Sequence, residues 1–353
     1  MNPMTSPVIR NRPDTKYLNA TLSRPRADEA VARAATILRQ GGTVAFPTET
    51  VYGLGANALD PDAIAHIFAA KDRPSWDPLI VHVSDRAMLE TVAYVTPQAE
   101  KLIAAFWPGP LTLLLERTSN ISDAITAGRP LVGVRMPADP LAHALIHAAG
   151  VPIAAPSANR FGRTSPTTAE HVLDDLEGRI DAILDGGPTP FGLESTVLDP
   201  NQHPMLIYRP GAITPAMIEQ VLGSGSVAVF EPISTDAEPE SLPSPGIGMR
   251  HYAPRASLVL VKDEADLANH AIHLSRDGEH LGIMLPDNWT LPVPAEIFHW
   301  GPWHDDAALA HNLFAGLRSL DSRRVTTILC PIPTSGGVGT AIRDRLQKAA
   351  RPK

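Results

Sequence analysis

From residue 78 to residue 211 the chain repeats one pattern, a short apolar run stopped by proline, glycine or a charge: PLIVHV, LTLLLE, LVGVRM, VPIAAP, AILDGG, STVLD and MLIYRPG. Runs of this length bounded by turn residues suit buried strands. Between them, helical spacing recurs near residues 97 to 106, 139 to 149, 167 to 176 and 214 to 222. The alternation favours an α/β sheet covered by helices and leaves strand order open. Upstream, ADEAVARAATILRQGG places Ala30, Val31, Ala34, Ile37 and Leu38 on one helical face and stops at Gly41 and Gly42. A second helix follows in LDPDAIAHIFAAKDRP, with Asp60 as N-cap, Pro61 in the first turn, Lys71 at the far end and Pro74 as the stop.

A chain of 353 residues exceeds one ordinary core, so two domains are expected. Residues 1–26 read as a loose or peripheral arm and 27–222 as the first domain. Residues 223–256, rich in Pro, Gly, Ser and acidic side chains, have the composition of a linker. Residues 257–353 repeat a strand and helix rhythm (SLVLVKD, EADLANHAIHLSR, LGIML, DDAALAHNLFAGLRSLDSR, TTILCPI, TAIRDRLQKAA), which predicts a small three-layer domain. No run reaches the roughly 18 apolar residues of a membrane span and the N-terminus lacks the apolar centre of a secretory signal, so a cytoplasmic protein is expected. Cys330 is the sole cysteine, which excludes an intramolecular disulfide and any multi-cysteine metal site. With 38 acidic against 30 basic residues, formal net charge is -8, so anion binding must come from particular residues rather than from the surface at large.

Those residues cluster in motifs. In TVAFPTETVYGLGANAL an apolar run breaks off into Pro47, Thr48, Glu49, Thr50 and Tyr52. A strand that only had to pack would not give up apolar burial there. AKDRPSWDPLIVHV sets Lys71 and Arg73 at a helix end and His82 on the next strand. The plain reading is a Lys complementing the helix dipole and an Arg paired at the surface; the functional one is an anion site. Arg135 and Arg209 each follow apolar residues and precede Met-Pro or Pro, so each leaves the sheet at an edge, where ligands bind in open α/β folds. APSANRFGRTSPTTAEHV offers Ser157, Asn159 and Ser165 beside a helix start, readable as a capping box or as a phosphate contact. Other motifs fail on context. GLGANA stands too far from its strand for a dinucleotide fingerprint, HALIH lacks the metalloprotease Glu, and GGVGTA lacks the P-loop Lys.

Taken in order, GGTVAFPTETVYGLGANA, KDRPSWDPLIVHV, FWPGPLTLLL, VRMPADP, PIAAPSAN, GRTSPTTAEHV, DGGPTPFGLESTV, RPGAIT and SPGIGMRHYAP resemble the long, two-domain form of the L-threonylcarbamoyladenylate synthase (YrdC-domain) family. The resemblance covers residues 41 to 254, and GVGTAIRDRLQKAA resembles the end of the family's smaller domain. It implies a twisted open α/β sheet with a concave positive cavity, a Rossmann-like three-layer C-terminal domain and a lid-forming linker between them. It also implies a reaction: ATP, L-threonine and bicarbonate give threonylcarbamoyl-AMP and pyrophosphate. The activated group then passes to an adenosine next to the tRNA anticodon, directly or through a downstream transferase complex. Carried over by motif, Thr48, Tyr52, His82, Arg135 and Ser195 would meet threonine and bicarbonate. Lys71, Arg73, Ser157, Asn159, Ser165, Arg209 and His251 would hold ATP, with Lys71 and Arg73 as the catalytic cations, and Arg250, His251 and Tyr252 would form the lid. Thr48, Thr50 and Ser195 all stand as candidates for the threonine hydroxyl. Mg²⁺ is expected with ATP, held mainly by phosphates and water.

Three positions depart from the family pattern. Asp77 replaces the usual Asn before the Pro, placing a carboxylate near the proposed phosphates, and Gly248 and Met249 replace a basic residue and an aromatic in the lid. Two rival readings are an RNA-binding module of the same fold and a carbamoyl-transfer enzyme of the hydrogenase-maturation type. Net charge and the absence of basic runs interleaved with aromatics weigh against the first. The lack of zinc-finger cysteines and of an acylphosphatase-like segment weighs against the second.

Overall fold

The computed structural model describes residues 14–21, 23–231, 241–246 and 250–352; Gly248 and Met249 lie outside them. Twelve strands form one large sheet: β1 (Lys16–Asn19), β2 (Val44–Phe46), β3 (Gly53–Asn57), β4 (Ile80–His82), β5 (Ala93–Tyr94), β6 (Leu111–Arg117), β7 (Leu131–Arg135), β8 (Ile153–Ala154), β9 (Ala182–Asp185), β10 (Thr196–Asp199), β11 (Met205–Arg209) and β12 (Val227–Val229). Their spatial order is β1-β9-β2-β3-β8-β4-β7-β6-β10-β11-β12, with β5 paired to β6. Parallel and antiparallel pairs mix, as expected of an open sheet whose connections alternate helices with short returns. Within the expected arm, residues 16–19 form β1, which pairs in parallel with β9 along the sheet edge. The helix after it begins at Arg24. Likewise β12, inside the expected linker, extends the same sheet beside β11.

The polar PTETV segment turns out to be the loop of an antiparallel pair, in which Phe46 faces Gly53 and Val44 faces Gly55. Gly55 is needed for packing: a Cβ there would stand 2.7 Å from the Phe46 ring and 2.8 Å from Ile153. Asp60 caps its helix as expected, accepting from the amides of Asp62 and Ala63. The helix expected at 167–176 starts later, at Ala169, and its cap is Thr168, accepting from the His171 amide. Ser165 therefore caps nothing; its hydroxyl goes to Glu194.

The second sheet is all parallel: β13 (Ser257–Val261), β14 (Leu281–Pro286), β15 (Glu296–Gly301) and β16 (Thr327–Pro331), in the order β13-β16-β14-β15. Alternate residues face opposite layers. Leu281, Ile283 and Leu329 pack with Leu267 and Ala271 of the helix Glu264–Arg276. Met284, Ile328 and Cys330 pack with Leu313 and Leu317 of the helix Asp306–Ser322 and Ile342 and Leu346 of the helix Gly339–Ala349. The three-layer expectation holds. Strand β15 was absent from it, because EIFHWG lies at an edge, mostly half-buried, and shows no clean alternation. Val51, Leu193 and Tyr252 belong to the same apolar cluster as the helices of this small domain, so the two units share a core.

Candidate active site

The sheet registers line up a row of polar residues across its middle. His82, last in β4, stands beside Arg135, last in β7. In β6 Leu113 faces Val134, which brings Thr112 level with Arg135, and Thr112 in turn faces Val197 of β10. Val197 faces Arg209, last in β11. Two guanidinium groups and an imidazole thus leave the same edge of the sheet, although up to 127 positions separate them in sequence (82 to 209). Above this edge lies a hollow of about 560 Å³, its mouth included. Thr48, His82, Arg135, Ser195, Arg73, Ser157, Arg209, His251 and Tyr252, all anticipated from sequence, line it. Thr50, Glu194, Pro245 and Gly246 join them, the last two from the linker.

Each guanidinium is held differently. Arg135 pairs with Glu49, Nη2 to Oε2 at 2.5 Å, and donates to Thr50 Oγ1 and the Gly109 carbonyl. Burial works against the Glu49 carboxylate, but the charge and hydrogen bonds of Arg135 outweigh it and keep Glu49 below the usual range. Arg73 is buried rather than at the surface: it meets Asp77 at 3.0 Å and donates to the carbonyls of Asp77 and Pro78. Burial raises Asp77 above its ordinary value against the pull of Arg73 and Lys71. Arg209 donates to the carbonyl and hydroxyl of Ser195, each at 3.0 Å. Among the described residues no carboxylate stands within 4.0 Å of Arg209, although Glu194 lines the same hollow. The Ser195 hydroxyl is shared with Thr112, which ties it to the Arg209 side rather than to Arg135.

Five residues anticipated from sequence sit elsewhere. Tyr52 is fully buried in the main core, and its hydroxyl donates to the Gly187 carbonyl at 2.8 Å and Asp185 at 3.2 Å, so it does not face the hollow. Lys71 lies behind the wall, with Nζ donating to the carbonyls of Ser157 and Asn159. Burial, then the neighbouring Arg73, pushes it well below an ordinary lysine. Asn159 donates to the carbonyls of Arg160 and Arg163, Ser165 bonds Glu194, and Arg250 does not reach the lining. These residues build the wall; Lys71 in particular fixes the loop that presents Ser157. That loop is stitched to the start of β3, Leu54 donating to the Pro156 carbonyl and Ala158 to that of Tyr52.

The linker closes the hollow from above. The Ser241 hydroxyl and carbonyl accept from Arg129, the Leu242 amide donates to the Trp76 carbonyl, and Ala253 donates to Gly162. His251 packs edge-on against Phe161 and Tyr252. Tyr252, at φ 62°, fills the space beside Gly246, where a Cβ would be 2.5 Å from its hydroxyl. Buried polar atoms gather here without a hydrogen-bond partner among the described residues: His82 Nδ1, His251 Nδ1 and Asp77 Oδ1. Such atoms are rare away from ligand sites, and each has capacity for one. Burial, followed by the charge of Arg135, lowers His82 to about 3, and burial with Arg73 and Lys71 keeps His251 neutral as well. Glu194 is the lining residue that motif reading passed over, although it stands next to Ser195.

A family model described as "Telomere recombination" matches residues 36–211, and one described as "Threonylcarbamoyl-AMP synthase, C-terminal domain" matches residues 213–351. The threonylcarbamoyl-AMP synthase of Bacillus subtilis is 43% identical over 95% of this chain and 96% of its own length. That of Pyrococcus abyssi is 40% identical over 93% of this chain and 96% of its own. The structure of P. abyssi Sua5 complexed with L-threonine superimposes with a TM-score of 0.86 at 38% identity, covering 95% of this chain and 97% of that one. A doubly substituted variant of the same protein gives 0.88 at 37% identity, covering 95% and 96%. With likeness running through both sheets and the linker between them, the chain belongs to the threonylcarbamoyl-AMP synthase family in its two-domain form and is a nucleotidyl-transferring enzyme.

Proposed function

We propose that the hollow is where ATP, L-threonine and bicarbonate meet and threonylcarbamoyl-AMP and pyrophosphate form. The observation that carries this reading is the row of strand-end cations, with no carboxylate within 4.0 Å of Arg209 among the described residues. The Arg209 and Arg73 side takes the triphosphate, with Ser157 and His251 beside it. The Arg135, Thr48, Thr50 and His82 side takes the amino acid, whose carboxylate suits a guanidinium fork. The threonine nitrogen bonds the bicarbonate carbon as a C–O bond breaks and water leaves; an oxygen of the resulting carbamate attacks the α-phosphorus, its P–O bond forming as the α–β bridge bond breaks and pyrophosphate departs. Such a step needs alignment and charge neutralisation rather than a protein nucleophile. Lys71 contributes by holding the loop that presents Ser157, and its charged form is favoured once phosphate lies near.

Mg²⁺ fits as a companion of ATP. No group of three or more His, Cys, Asp or Glu able to hold a metal occurs among the described residues, whereas Asp77 Oδ1, buried and unpartnered, offers one protein oxygen to an ion carried in by phosphates. The ion would neutralise phosphate charge there. Among the described residues no helix is long and apolar enough to cross a membrane, and we place the enzyme in the cytoplasm, where its product supplies the threonylcarbamoyl group to tRNA directly or through a separate transferase complex. The test is pyrophosphate release with threonine, bicarbonate and Mg²⁺ omitted in turn. Dependence on all three is expected; release that persists without threonine overturns the reading.

A further inference from the structure

Arg345, on the last helix of the small domain, has a fully buried side chain whose three nitrogens reach three segments. Nε meets Glu194 Oε2 at 2.8 Å, Nη1 meets Asp344 at 2.6 Å, and Nη2 donates to the Pro210 carbonyl at 3.0 Å. Its guanidinium also lies over the Tyr252 ring, 5.0 Å from the centroid, with Phe314 stacked on that ring at 5.8 Å. Glu194 and Tyr252 line the hollow, and Pro210 follows Arg209 directly. Glu194 is thus an anion in the wall of a site read as taking a triphosphate. It also neighbours Ser195, whose carbonyl and hydroxyl hold Arg209. Its other oxygen accepts from the Ser165 hydroxyl, so both carboxylate oxygens are engaged by partners other than Arg209.

We propose that Arg345 is a positioning residue for the cation row: reaching in from the small domain, it holds the Glu194 carboxylate and so keeps Arg209 available to an anion. Glu194 and Arg209 line the same hollow, and without Arg345 a Glu194–Arg209 pair would cancel the charge that grips phosphate. The small domain then acts on the charge of the site through a specific side chain rather than by general bulk. This inference rests on the reading of the hollow as the nucleotide site.

The test uses the full chain, with ATP affinity by calorimetry, threonine KM by turnover and thermal unfolding as the check on folding. Arg345→Met is expected to weaken ATP at least tenfold while threonine KM changes less than threefold. Glu194→Gln added to it removes the competing carboxylate and is expected to return ATP affinity to within threefold of wild type, a rescue that a merely structural role would not show. An Arg345→Met protein within twofold of wild type, or a double variant as weak as the single one, overturns the proposal. Should Arg345→Met not fold, the double variant, which leaves no unpaired buried charge, is compared with Glu194→Gln alone. Equal ATP affinity supports the proposal and a further loss overturns it. Wild type that binds ATP but releases no pyrophosphate sinks the proposed reaction while leaving this comparison intact.

Discussion

In the large sheet, strands β4, β7 and β11 end in His82, Arg135 and Arg209; in the small sheet, β13, β14 and β16 end in Val261, Pro286 and Pro331. Both are open sheets flanked by helices, and carboxyl strand ends are where such folds bind ligands. Only in the first do the last strand residues include charged side chains. The small sheet has the architecture of a binding fold but ends these strands in apolar residues, and two of its helix arginines reach sideways: Arg345 into the hollow wall, Arg318 to Asp175 and to the carbonyls of Thr164 and Ser165. Architecture therefore says where a site can be, and the side chains at strand ends say where it is.

Substitutions sharpen this contrast in descending order. Arg209→Ala should lower kcat/KM for ATP at least 100-fold, about 2.7 kcal/mol, because no neighbouring side chain replaces an uncompensated cation. A loss under fivefold would erase the distinction between the two sheets. Lys71→Ala and Arg73→Ala should each lower turnover about tenfold, roughly 1.4 kcal/mol, but by different routes. Lys71 supports the Ser157 loop, so its loss should also lower the unfolding temperature and speed amide exchange at 155–159. If the exchange is unchanged, Lys71 acts on substrate directly.

Tyr52→Phe should lower stability by about 1 kcal/mol through its buried hydrogen bonds to Gly187 and Asp185, with threonine KM unchanged. A raised KM with unaltered stability would move Tyr52 back to the cavity. The smallest effect belongs to His82. Its folded value near 3 lies below the ordinary 6.5, so the unfolded chain binds more protons between those limits. Stability contributed by neutral His82 is full above about 6.5 and declines as pH falls toward 3. Between pH 6 and 8 its ionisation should leave kcat/KM flat, and a His82-dependent inflection near 6.5 would contradict the burial seen here.

Residue by residue, legibility followed distance along the chain. Asp60 as a cap, Arg135 and Arg209 at strand ends, and the layers of the small domain are local signals, each written within a few positions. Tyr52 was misplaced because the motif fixes its neighbours but not which way the loop turns the ring; the register of Phe46 against Gly53 decides that, and it depends on a tertiary partner. The helix start after Ser165 was legible only to within a residue or two, because Thr167, three before Glu170, reads as the capping box while the cap is Thr168. Strand β15 lacks alternation because it is half-covered at an edge. Arg345 left no trace at all: its helix reads as ordinary amphipathic sequence, and its partner Glu194 is 151 positions away.

The central claim is that one hollow has two sides, an amino-acid side around Arg135 and a phosphate side around Arg209. Calorimetric titration of Arg135→Ala and Arg209→Ala with threonine and with ATP tests it most directly. The account predicts that Arg209→Ala loses ATP affinity at least tenfold and keeps threonine binding within threefold, with the opposite pattern for Arg135→Ala. Equal loss of both ligands in both folded variants, or no loss in either, would contradict it.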